Sequence, residues 1–82
     1  MELKDTANLM VSKDFKDRAK AEYYQLDNRI KGLERMLEGY RNNTLDFVPN
    51  CSYDLLHTQL VYMKAYRDVL EERAAIENID LD

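Results

Sequence analysis

Residues 53–76, YDLLHTQLVYMKAYRDVLEERAAI, allow few alternatives to a helix with more than one packed neighbour. Leu55, Tyr62, Val69 and Ile76 recur every seven residues, and Leu56, Met63 and Leu70 repeat that interval one position later. Leu60, Tyr66 and Ala74 fill the turns between. On a helix these positions merge into one broad apolar band, wider than a two-stranded seam requires. A band that wide needs more than one partner. The chain supplies one helix, and other copies of the chain are expected to supply the rest.

The partner helix is predicted over residues 13–40, with Ser12 as its N-cap. Ala19, Tyr23, Leu26, Ile30, Leu33, Leu37 and Tyr40 alternate spacings of four and three, a heptad seam that Phe15 begins. Gly32 interrupts the pattern, either as a tolerated surface glycine or as a point of close helix approach. Gly39, Asn42, Asn43 and Pro49 break the periodicity, so a loop is expected over 41–52. Within it, Leu45-Asp46-Phe47-Val48 is apolar enough to fold back over the hairpin end. Asn50 or Ser52 caps the second helix, placed at 53–77, with Asp54 near its positive end. Residues 1–11 read as a loose arm carrying Leu3, Leu9, Met10 and Val11, and 79–82 as an acidic tail. The expected fold is all-α: an antiparallel two-helix hairpin assembled into a homo-oligomeric bundle. In it Arg29 lies across from Tyr66, and Glu22 is near enough to Arg73 to pair with it.

The bulk composition agrees. Eighty-two residues form one small domain, a size that often depends on oligomerisation, metal or disulfides. One cysteine, Cys51, excludes an internal disulfide and favours a reducing cytoplasm. With His57 as the one histidine, a structural zinc site within the chain is also excluded. A net charge of −4 argues against general nucleic-acid binding, though not against a local basic pocket for a small anion. No apolar run approaches the roughly 20 residues of a membrane span, and no signal-peptide core is present.

No catalytic set emerges. A Ser/His/Asp arrangement is missing, Cys51 and His57 are not spaced for a thiolate pair, and there is no glycine-rich phosphate loop. A non-enzyme without cofactor is therefore expected. Six tyrosines in 82 residues are the unusual feature. They either line interface edges or, with nearby guanidinium groups, clamp a flat anionic ligand. Arg29, Lys64, Arg67 and Arg73 are the cations placed beside them. The plainer reading, a solvated helix face or an intersubunit ion pair, fits Lys64 and Arg67 better than the other two. Gln59, between Leu55 and Tyr62, is either a register-fixing hydrogen bond or a ligand contact.

Two motifs carry a resemblance. Residues 22–37 follow E-x-x-x-L-x-x-R-I-x-x-L, and residues 55–73 contain Q-L-x-x-M-x-x-Y-x-x-x-L-x-x-R. The pair resembles a family of small helical-hairpin proteins from bacteriophages, including crAss-like phages. It covers residues 15–76, with Glu22, Arg29, Gln59, Tyr66 and Arg73 as its less generic members, and departs in the longer, more apolar loop at 45–49. The architecture is also similar to anti-CBASS hairpin sponges, which form closed oligomers, often hexamers, and hold cyclic nucleotides between subunits without cleaving them. That resemblance implies an anti-defence sponge for a cyclic oligonucleotide or cyclic ADP-ribose type of signal in the bacterial host cytoplasm. Tyr24, Tyr62 and Tyr66 would stack on bases, Arg29, Arg67 and Arg73 would face phosphates, and Gln59 would read a base edge. The alternatives are an interaction module that inhibits a host protein and a structural oligomer.

Overall fold

A computed structural model describes residues 14–81. Two helices, α1 (Phe15–Asn42) and α2 (Tyr53–Ile76), pack antiparallel along one another. The arm at 1–11 and Ser12 lie outside the described residues. Asp14 takes the capping role expected of Ser12: its Oδ1 accepts from the Lys16 amide at 2.9 Å. Ser52 caps α2, its Oγ accepting from the Leu55 amide at 3.1 Å, and Asp54 follows in the first turn.

Both helices stop in the same way. Asn43 and Asn78 adopt left-handed backbone, with φ of 55° and 56°. After each, the next amide reaches back over the last turn, Thr44 to the Gly39 carbonyl at 2.9 Å and Ile79 to the Ala74 carbonyl at 2.8 Å. This is the Schellman arrangement, with asparagine where glycine is commoner. At the second stop it turns Ile79 back into a buried position beside Leu70 and Ala74. The segment expected as an acidic tail therefore begins with an anchored apolar residue.

The inner seam is a cross-helix stripe. Leu26, Ile30 and Leu37 of α1 meet Leu60 and Leu70 of α2, with Tyr23, Leu33, Tyr53, Leu56 and Met63 packed around them. Ile30 is completely enclosed. On α2 this seam runs Tyr53, Leu56, Leu60, Met63, Arg67, Leu70, Ala74, again in alternating threes and fours.

The single broad band expected on α2 is thus divided. Leu55, Tyr62, Val69 and Ile76 stay largely exposed and outside the core cluster; Tyr62 is 70% exposed and Ile76 74%. With Gln59, Tyr66 and Arg73 between them they form a second heptad column, the outer seam. It lies one residue away from the inner seam, about 100° around the helix.

The loop is divided too. Leu45 is half-buried and packs on Gly39, where an added Cβ would come within 2.8 Å of Leu45 Cδ2. Phe47 and Val48 stay exposed, Val48 at 90%, so only the first residue of the apolar loop segment folds back. Gly32 faces open surface: the nearest atom to an added Cβ is an Arg35 nitrogen at 3.9 Å. It is the surface glycine, not a point of close approach.

Two stability changes follow. Ile30→Ala empties the fully enclosed position of a large side chain and is expected to cost about 3 kcal/mol in urea denaturation. Gly32→Ala removes a flexible residue from a solvent-facing turn and should stabilise by about 1 kcal/mol in the same assay.

Candidate functional site

The hairpin has two unlike flanks, set apart by its cross-helix polar contacts. One flank is closed by complementary pairs. Asp27 accepts from Arg67 Nη1 at 2.8 Å and pairs with Lys31, one turn along α1, at 2.9 Å. Lys64 pairs with Glu34 at 3.1 Å. The Tyr23 hydroxyl donates to Glu71 at 3.0 Å, and the Tyr24 ring meets the Tyr23 ring edge-on at 5.2 Å.

These contacts shift the groups that make them. Desolvation pushes the Asp27 carboxyl up, but the hydrogen bonds from Lys31 and Arg67 outweigh it and hold the carboxyl below its ordinary value. The Arg67 guanidinium is driven up by the same bond to Asp27, against desolvation. Burial, then the bond to Glu71, raises the Tyr23 hydroxyl to about 12.

The opposite flank holds most of the expected ligand residues. The Tyr66 hydroxyl donates to Glu22, which places Tyr66 on the Glu22 side of the hairpin. Arg29 lies one heptad after Glu22, hence on the same face of α1. Gln59, Tyr62, Tyr66 and Arg73 follow one another along the outer seam of α2. The antiparallel register defined by Asp27–Arg67 and Tyr23–Glu71 sets Arg29 level with the Tyr62–Tyr66 turn. Five of the seven expected residues therefore share one exposed flank. Tyr24 and Arg67 belong to the other, and the Arg67 guanidinium is already bound to Asp27.

Toward the open end, an exposed cleft of about 320 Å³ is lined by Phe15, Arg18, Glu22, Gln25, Arg73 and Glu77. Glu22 and Arg73 share this cleft, as expected, but the Glu22 carboxylate is engaged by Tyr66 and makes no ion pair with Arg73. Among the described residues, the guanidinium groups of Arg29 and Arg73 have no carboxylate partner. Arg18 and Gln25 were not anticipated. Their signal is a spacing: Arg18, Glu22, Gln25 and Arg29 step by four, three and four, a polar column beside the apolar seam of α1.

A second aromatic group sits at the loop end. Tyr40 meets Tyr53 edge-on at 5.7 Å, and His57 stacks on Tyr53 at 6.0 Å. Cys51 is exposed and free. No group of His, Cys, Asp and Glu among the described residues could hold a metal ion, and no helix is long and apolar enough to cross a membrane.

An exposed flank of tyrosine, glutamine and unneutralised arginine on a two-helix scaffold is a surface for binding. The Sequestin family model matches residues 13–76, and the chain belongs to the Sequestin family. The family's name points to sequestration of a molecule, a binding rather than a catalytic role. Searches of curated proteins and of solved structures each found no significant match.

The closed flank makes folding pH-dependent at both extremes. Asp27 has a lowered folded value, so its contribution is present above its ordinary 3.8 and is lost as pH falls through that lowered value. Tyr23 has a raised one, so its contribution is full below 10 and is lost as pH climbs through about 12. The urea midpoint should fall in both windows. Asp27→Asn should flatten the acid limb and Tyr23→Phe the alkaline one.

Proposed function

We propose that the protein is a phage-encoded anti-defence sponge. It binds a nucleotide-derived immune signal, of the cyclic oligonucleotide or cyclic ADP-ribose type, between protomers of a homo-oligomer and does not cleave it. It acts in the cytoplasm of the infected bacterium. The observation that carries this reading is the shared flank of Arg29, Gln59, Tyr62, Tyr66 and Arg73. Tyrosine offers a face to a base, and arginine offers a planar fork to a phosphate. Arg29 and Arg73 have no intrachain carboxylate among the described residues to compete with such a ligand. Gln59 is exposed and can present its amide to a base edge. Tyr24 and Arg67, on the other flank, enter the pocket only where a neighbouring copy brings that flank across. Arg67 would first have to leave Asp27, so it is the weakest member of the set.

A sponge acts by stoichiometry, so tight binding and slow release suffice without turnover. Native mass spectrometry of the purified protein with added cyclic dinucleotides, cyclic trinucleotides and cyclic ADP-ribose isomers tests it. The expected result is a defined oligomer that gains ligand mass in whole-number steps and returns the ligand intact on denaturation. Arg29→Ala and Arg73→Ala should each weaken binding about 10- to 100-fold while the oligomer persists. Hydrolysed ligand overturns the reading. An oligomer that gains no mass with any of them moves the function to a protein target.

A further inference from the structure

We propose that Glu22 and Glu77 set the specificity of the ligand flank: they exclude nucleotides that end in a free phosphate and admit those whose phosphates are all bridged. This rests on the nucleotide-binding function proposed above, and it adds the residues that refuse the wrong ligand.

Charge is spread unevenly along the flank. Arg29, level with the Tyr62–Tyr66 turn, has no carboxylate partner among the described residues. At the open end the cleft is lined by two arginines, Arg18 and Arg73, and by two glutamates, Glu22 and Glu77, so its formal charge is zero. A cleft that served only to gather anions would not carry two carboxylates.

Folding does not account for either negative charge. Among the described residues the Glu22 carboxylate accepts from the Tyr66 hydroxyl and forms no ion pair. A neutral glutamine oxygen would accept that bond as well. Glu77 is the C-cap of α2, where a negative charge opposes the helix dipole. Tyr66 acts as a positioning residue between these groups. By engaging Glu22 it keeps the carboxylate off Arg73, which shares the cleft. An ion pair there would cancel both charges. Held apart, the guanidinium attracts and the carboxylate repels.

The phosphate chemistry then decides what enters. A bridged phosphate carries one negative charge, which the Arg73 fork can neutralise. A terminal phosphate carries nearly two at neutral pH, because its second proton leaves near pH 6. The cleft encloses about 320 Å³. A phosphate held on Arg73 therefore lies within about a Debye length, roughly 8 Å, of both carboxylates. Its surplus charge meets like charge, at a cost of about 10-fold in affinity on so exposed a surface. A sponge has a fixed number of sites and no turnover, so common mononucleotides that filled them would disable it. Discrimination of this kind needs a repelling group beside the attracting ones.

Adenosine monophosphate and its phosphate methyl ester test the proposal, since they differ by one charge on the phosphate. Their affinities for the protein are measured by calorimetric titration, with cyclic di-AMP and cyclic ADP-ribose in parallel. The wild type should favour the ester about 10-fold at neutral pH, and the preference should fade at about pH 5, where both probes carry one charge. Glu22→Gln keeps an acceptor for Tyr66 and should cut the preference to about 3-fold or less, with a smaller change for the cyclic probes. Glu77→Gln should narrow it too, and it decides the matter if the Glu22 variant fails to fold. A wild type without the preference, or a preference that both variants retain, overturns the proposal. If cyclic probes bind while the preference fails to move, this inference falls and the proposed function stands. If the preference moves while no cyclic probe binds, the reverse holds. Binding of none of the four probes overturns both.

Discussion

Two helices that touch along one line enclose almost nothing. Among the described residues, Ile30 is the one large side chain completely removed from solvent, and it lies midway along that line. Everything else is arranged around the shortage of interior. The caps and the two Schellman stops satisfy the helix ends locally, because no surrounding core can do so. Ile79 is folded back to extend the line by one residue. Asp27, held between Lys31 and Arg67, fixes how the two helices register against each other.

The polar contacts then make the flanks unequal. On one side nearly every charge near the seam answers another: Asp27 with Arg67, Glu34 with Lys64, Glu71 with Tyr23. On the other, Glu22 is taken by Tyr66, and Arg29 and Arg73 have no such carboxylate among the described residues. A surface that has neutralised its own charges offers little to an ionic ligand. A surface that leaves guanidinium groups beside aromatic rings offers more. The contrast between flanks says more about binding than the total of tyrosines does.

The heptad of α1 was readable from spacing because its members are nearly all apolar. So were the turn chemistry around Gly39 and Pro49 and the position of Arg29 across from the Tyr66 turn. The division of α2 was not. Two adjacent columns repeat every seven residues, and spacing alone cannot say which of them a single partner helix takes. The column that packs contains Arg67, a residue that ordinarily marks a solvent face. Asp27 makes its place beside the seam tolerable, and that partner is 40 positions away in sequence. The gathering of Arg29 with Gln59, Tyr62, Tyr66 and Arg73 likewise depends on which way α2 is rotated against α1. Rotation by one residue would have sent them to different sides.

The two columns of α2 have a geometrical consequence. They stand close to a right angle apart, so any two helices held by α2 lie like adjacent sides of a square. A helix with opposed faces would build a flat row that lengthens without limit. A helix that turns a corner bends what is built on it, and a few such corners bring the structure back to its starting point. Whether anything built on α2 would run straight or turn is thus set by the rotation of one helix.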